Sequence, residues 1–114
     1  MVRVTRGDVV LCHLDPVVGT EQAGTRPALI LQTDKANSVS PHTIIAPFTT
    51  KIRKTLLPSH VLAPAGQGGL SQDSVLLTEQ IRVVDQRRIT KLLGHLDAAY
   101  LDEVAKAVRA ILEV

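Results

Sequence analysis

A mainly β fold of the α+β kind, a small and strongly bent antiparallel β-barrel closed by one C-terminal helix, is what this sequence predicts. Two observations predict it. Short β-prone runs separated by turn chemistry fill most of the chain, and the apolar period becomes helical only at the end. A chain of 114 residues with 45% hydrophobic content has the length and apolar mass of one core, so residues 1–114 are read as a single domain.

The elements follow in order. Gly7 to Leu14 (GDVVLCHL) is the first strand, and a loop from Asp15 to Thr25 leads to a second, Pro27 to Gln32 (PALILQ). A polar connection, Thr33 to Pro41, precedes a strand at Thr43 to Thr50, where Pro47 argues for an edge position or a bulge. Leu57 to Leu62 makes a shorter strand and Ala63 to Asp73 a loop, before one long strand from Ser74 to Val84. Strand alternation puts Gln80 and Arg82 on one face and Glu79 on the other unless a bulge intervenes. From Asp97 the stripe Leu101, Val104, Ala105, Val108, Ile111, Leu112 sets a helix, with Asp97 as N-cap and a Leu96–Leu101 staple.

Composition excludes several classes. No apolar run approaches the ~18 residues of a membrane span, and the stretch after Met1 is too short for a secretion signal, so the cytoplasm is the expected compartment. The single Cys12 makes no intrachain disulfide and has no clustered metal-ligating companions; neither metal nor cofactor is expected. Thirteen basic against eleven acidic residues leave +2, compatible with a local basic groove. Phe48 and Tyr100 are the only aromatics, so a single-stranded nucleic-acid site would work without rows of stacking platforms. A serine triad, a dinucleotide fingerprint and an HExxH motif are absent, and Gly66, Gly68 and Gly69 lack the Lys-Ser/Thr of a phosphate loop.

Three segments carry chemistry. The loop Pro16 to Pro27 (PVVGTEQAGTRP) is longer than a hairpin needs, and it gathers Thr20, Glu21, Gln22 and Arg26. Pro27 biases Arg26 toward an extended backbone, presenting a permanently charged fork suited to a phosphate; pairing with Glu21 on the surface is the plainer reading. Thr49 and Thr50 end a strand, where a hydroxyl can donate to a phosphoryl oxygen, although paired threonines also simply favour strands. Glu79, Gln80 and Arg82 offer carboxylate, amide and guanidinium edges that can read bases, or merely face solvent. The four histidines, His13, His42, His60 and His95, are scattered and read as structural or surface residues; Arg87, Arg88 and Lys91 read as a solvated charged face.

Taken together, Arg6-Gly7-Asp8-Val9, Pro16 to Gln22 with Gly24 and Arg26-Pro27, Asn37, Pro47-Phe48-Thr49-Thr50-Lys51, Leu57 to Val61, and Asp73-Ser74-Val75 leading to Glu79-Gln80-Ile81-Arg82 resemble the MazF/PemK toxins of bacterial toxin–antitoxin systems. Val10 and Leu11 stand where that family usually has an aromatic. The resemblance implies an SH3-like barrel shared with the CcdB toxins, a homodimer, and a sequence-specific, metal-independent endoribonuclease acting on single-stranded RNA. It also implies neutralisation by a MazE-like antitoxin whose disordered segment occupies the RNA groove. The catalytic pair falls on Arg26 and Thr49, with Thr50 the alternative hydroxyl; Thr20, Glu21, Gln22, Thr50, Glu79, Gln80 and Arg82 fall on the RNA-binding side. The general base is left open between Glu21 and a purely electrostatic site. Two rivals of the same fold are a CcdB-like gyrase poison, which this Trp-free chain does not match at its C-terminus, and a catalytically silent binding module.

Overall fold

Apolar residues on consecutive positions of a strand must find cover on both faces. Val9-Val10 and Ala28-Leu29-Ile30 are such positions, and all five are fully buried. The computed structural model, which describes residues 3–114, shows how. Met1 and Val2, the start of the stretch read as lacking a secretion signal, lie outside the described residues. Val9 and Leu29 join Ala46, Phe48, Leu76 and Leu96 in one core, while Val10, Ala28 and Ile30 join Cys12, Leu14, Ile45, Val84 and Ile89 in a second.

The elements are β1 (Asp8–His13), β2 (Thr25–Ile30), α1 (Asp34–Val39), β3 (His42–Thr49), β4 (His60–Ala63), β5 (Ser74–Leu77), β6 (Arg82–Asp85), β7 (Ile89–His95) and α2 (Ala98–Leu112). The strands pair antiparallel in the order β4-β5-β3-β2-β1-β7, with β6 also on β3. The expected architecture is present, as a bent sheet whose ladder does not close: β4 and β7 end its path among the described residues. α2 lays Val104 and Ala107, with Tyr100, Leu101 and Val108 at their margin, on the first core.

Several expectations are corrected. Pro47 is buried in a central strand, not on an edge. It sits where β3 exchanges one neighbour, β6 at His42–Ile45, for another, β5 at Phe48–Thr49, so the missing N–H costs least there. The polar connection Thr33–Pro41 contains α1, because the Thr33 hydroxyl accepts from the Ala36 N–H at 3.4 Å and caps a turn. The strand placed at Leu57–Leu62 begins only at His60, since the Pro58 turn closes with the His60 N–H donating to the Leu57 carbonyl. The long strand Ser74–Val84 is two strands separated by a 3₁₀ turn, Thr78–Gln80. β7 is a strand not expected from the sequence, and of the residues read as a charged face it contains only the exposed Lys91. Asp97 holds the N-cap position without capping: its carboxylate accepts from Gln67 Nε2 at 3.0 Å and its N–H donates to Gln67 Oε1 at 2.6 Å. Ile111 and Leu112, placed on the apolar stripe, are 40% and 48% exposed.

Two contacts position the loops. A Cβ on Gly69 would lie 2.2 Å from the Leu93 carbonyl oxygen, so only glycine lets the Gln67–Gly69 turn rest on β7. Asn37, buried on α1, accepts at Oδ1 from Thr43 Oγ1 at 2.7 Å and from Gln32 Nε2 at 2.9 Å, and donates from Nδ2 to the Gln32 carbonyl at 3.0 Å. Replacing Asn37 with alanine leaves the fully buried Thr43 hydroxyl without its partner. Urea denaturation is expected to show a loss of about 2 kcal/mol.

Candidate functional site

The 3₁₀ turn after β5 makes the site. The Thr78 hydroxyl and N–H both donate to the Ser59 carbonyl, at 2.6 and 3.2 Å, which ends the strand and folds the chain inward. Strand alternation therefore fails at Glu79 and Gln80, and both side chains line one cavity of about 260 Å³ together with Thr20, Gln22 and Thr49. A neighbouring cavity of about 180 Å³ shares Gln22, Glu79 and Gln80 and adds Glu21 and Arg82. The Gln22 N–H donates to Gln80 Oε1 at 2.8 Å, so the β1–β2 loop is tied to the turn.

Other residues named from the sequence sit as follows. Glu21 turns back on its own loop, where Oε1 accepts from the Val18 N–H at 2.9 Å, and it does not line the Thr49 cavity. Thr50 is exposed and lines neither cavity. Arg82 donates from Nη1 to the Leu14 carbonyl at 3.2 Å, while Arg88 reaches the carbonyls of His13 and Asp15, so both hold the exit of β1. Arg87 is paired with Asp85, whose carboxyl this guanidinium holds down at about 2. Lys91 remains exposed.

Arg26 and Thr49 are related through the sheet. The β2–β3 ladder ends at the pair Ala28–Pro47; Arg26 lies two residues past that end on β2, paired with Cys12, and Thr49 two residues past it on β3, paired with Val75. Arg26 lines neither cavity in this conformation. Its Nε donates to the Ala23 carbonyl at 2.6 Å, which leaves both terminal nitrogens without a protein partner among the described residues. Thr49 is buried and lines the larger cavity; its Oγ1 accepts from the Lys51 N–H at 3.2 Å, leaving the hydroxyl proton to donate elsewhere.

Three polar lining residues were not assigned to the site: His60, read as a structural or surface residue, Lys51, quoted only beside the threonines, and Arg53, which was not named. Lys51 and Arg53 belong to a basic run, Lys51-Ile52-Arg53-Lys54, directly after the threonines, and that run was a legible signal. For His60 there was none, because its partner Glu79 lies nineteen residues away. Of the other histidines, His95 pairs with Asp8 at 3.0 Å and His13 meets Thr25 Oγ1 at 3.2 Å, as structural residues do. Burial pushes the Cys12 thiol up, and Phe48 is buried in the core, out of reach of any base.

A bent antiparallel sheet with a C-terminal helix is an architecture also found in solved structures. The structure superposes on the crystal structure of MazF from Deinococcus radiodurans with a TM-score of 0.84 at 30% identity over the whole of both chains. It matches a MazE–MazF complex from the same organism with a TM-score of 0.79 at 28% identity over 99% of each chain. In sequence it is 46% identical over 106 residues to endoribonuclease EndoA of Bacillus subtilis (strain 168), covering 93% of this chain and 91% of that protein. Residues 5–112 match the family described as PemK-like, MazF-like toxin of type II toxin-antitoxin system, and the chain belongs to that family.

Proposed function

We propose that this toxin cuts single-stranded RNA at specific sequences without a metal ion, using the substrate's own 2′-hydroxyl as nucleophile. Endoribonuclease activity follows from the family and from a relative of that name at 46% identity. In the reaction, the 2′-oxygen bonds to the adjacent phosphorus and the P–O5′ bond breaks. The 2′-hydroxyl proton passes to a base and the departing 5′-oxygen takes up a proton, giving a 2′,3′-cyclic phosphate and a 5′-hydroxyl end.

The observation that supports this reading is the β2–β3 ladder, whose last pair, Ala28–Pro47, leaves Arg26 and Thr49 each two residues past the same end, with Thr49 in a cavity lined by hydrogen-bonding groups. Charge accumulates on the phosphorane oxygens, and a guanidinium whose terminal nitrogens have no partner among the described residues, together with a hydroxyl donor, stabilises that charge. Thr20, Gln22, Glu79 and Gln80 line the cavity on the RNA side, Glu21 and Arg82 line its neighbour, and Thr50 contacts RNA outside both. Lys51 and Arg53 supply sequence-independent attraction for phosphates. The working unit is a homodimer in the cytoplasm; no helix among the described residues is long and apolar enough to cross a membrane. A MazE-like antitoxin, acidic and disordered before binding, neutralises it by occupying the same groove, as a competitor for a surface carrying Arg26 must.

A long RNA incubated with the protein in EDTA tests the reading. Discrete cuts with cyclic-phosphate and 5′-hydroxyl ends are the expected result. Absence of cutting, cutting only on addition of a divalent ion, or 5′-phosphate ends would overturn it.

A further inference from the structure

His60 is the most enclosed titratable side chain at the cavity, 7% exposed, and the proposed cleavage chemistry does not use it. Its two nitrogens are both engaged. The Leu57 N–H donates to Nδ1 at 3.2 Å, so Nδ1 carries a lone pair, and the proton must sit on Nε2, which donates to Glu79 Oε2 at 2.8 Å. The bond to the backbone therefore chooses the tautomer, and the tautomer fixes the carboxylate. Glu79 is left with Oε1, which has no hydrogen-bond partner among the described residues. One residue on, Gln80 spends its oxygen on the Gln22 N–H, and its –NH₂ remains. The cavity wall thus carries both a carboxylate oxygen that only accepts and an amide nitrogen that only donates.

We propose that His60 is a positioning residue for specificity: by holding Glu79 it fixes one member of an acceptor–donor pair lining the same cavity, Glu79 Oε1 and Gln80 Nε2, that reads the Watson–Crick edge of one unpaired base of the RNA. Neither group can change role. An amide free to flip, or a carboxylate free to rotate away, would accept bases with the reverse order of donor and acceptor. With both locked, such a base meets like against like and leaves buried polar groups unpaired. The inference rests on the RNA-cleaving reading above and assigns its selectivity at one nucleotide position.

Two isosteres separate this role from a structural one. In H60Q the amide nitrogen falls where Nε2 was and still donates to Glu79, while the acceptor for Leu57 is lost. In H60N the amide oxygen falls where Nδ1 was and still accepts from Leu57, while the donor to Glu79 is lost. Cleavage ends on a long RNA of mixed sequence are mapped by sequencing for the wild type, both variants and E79Q, with folding checked by circular dichroism. H60Q is expected to keep the wild-type pattern. H60N is expected to relax discrimination by on the order of tenfold at a single position, E79Q, whose amide oxygen still accepts from His60 Nε2 and whose nitrogen replaces Oε1, to change the preferred base at that same position, and the double variant H60N/E79Q to alter no second position. E79Q, at a side chain on the cavity surface, carries the test should H60N fold poorly. The proposal is overturned if H60N and E79Q cut with wild-type selectivity, or if H60Q is the variant that loses it, which would make the Leu57 turn the point of His60. A wild-type protein that leaves RNA intact would overturn the cleavage reading as well, a distinct result.

Discussion

Replacing Arg26 with alanine is expected to lower kcat/KM on a defined RNA by on the order of 10²- to 10³-fold while leaving the protein folded. The reasoning starts from where the side chain is held. Pro27 restricts the backbone of Arg26, and the Ala23 carbonyl takes its Nε, so the terminal nitrogens are presented with little rotamer freedom left to lose. That contact is exposed, and water can replace it when the guanidinium is removed. Stability is therefore nearly unaffected, whereas the phosphorane loses a charged, pre-placed donor pair. Lysine in its place keeps the charge and loses both the fork and the anchoring N–H, so Arg26→Lys is expected to recover only a minor part of the rate. An alanine variant that cuts at close to the wild-type rate, with an unchanged circular dichroism spectrum, would remove Arg26 from the chemistry.

Local physics was enough to read some of this protein and not the rest. The apolar pairs in β1 and β2 pointed to strands covered on both faces, and the turn-rich loop between them was legible from its length and its Gly, Pro and Arg content. The helical stripe from Leu101 to Val108 also announced itself, because its period is local. Its continuation to Leu112 did not hold: the helix runs on past the edge of the core, and nothing in a 3.6 period says where the partner surface ends. The break in Ser74–Val84 was hidden for a similar reason. Thr78-Glu79-Gln80 leaves the strand because a hydroxyl meets the Ser59 carbonyl across the fold, a contact with no trace in the residues around it. β7 was obscured by Thr90, Lys91 and Gly94, which weaken its alternation; its glycine is there so that Gly68 and Gly69 can approach the backbone.

The same distinction runs through the site. Arg26, Thr49, Glu79 and Gln80 were named because their residue types match phosphate and base chemistry and because the whole constellation resembled a family. The sharing of one cavity wall by Thr49, Glu79 and Gln80 depends on the 3₁₀ turn, which strand alternation had argued against, and Arg26 lies outside that wall. Arg82, named for RNA, lines the smaller cavity and also donates to the Leu14 carbonyl, while Arg88, read as part of a solvated charged face, is used on the His13 carbonyl that closes β1.

Removing the Thr49 hydroxyl is expected to slow cleavage by on the order of 10²-fold, and removing that of Thr50 to leave the rate almost unchanged. Consecutive strand residues point to opposite faces, and here Thr49 is buried at the cavity while Thr50 is exposed and lines neither cavity. The Lys51 N–H fixes the Thr49 oxygen, so the one group left to rotate is its proton, which is then free for a phosphoryl oxygen. Valine is the informative replacement at position 49, since it keeps the branched shape and the rotamer preference and deletes only the hydroxyl. Thr49→Ser, which restores the hydroxyl on a less constrained side chain, should regain most of the lost rate. Single-turnover rates with saturating RNA separate this effect from binding. Equal and small effects of Thr49→Val and Thr50→Val would take the hydroxyl out of the mechanism and leave Arg26 to act on the phosphate alone, and a larger effect at Thr50 would move the donor to the other face of β3.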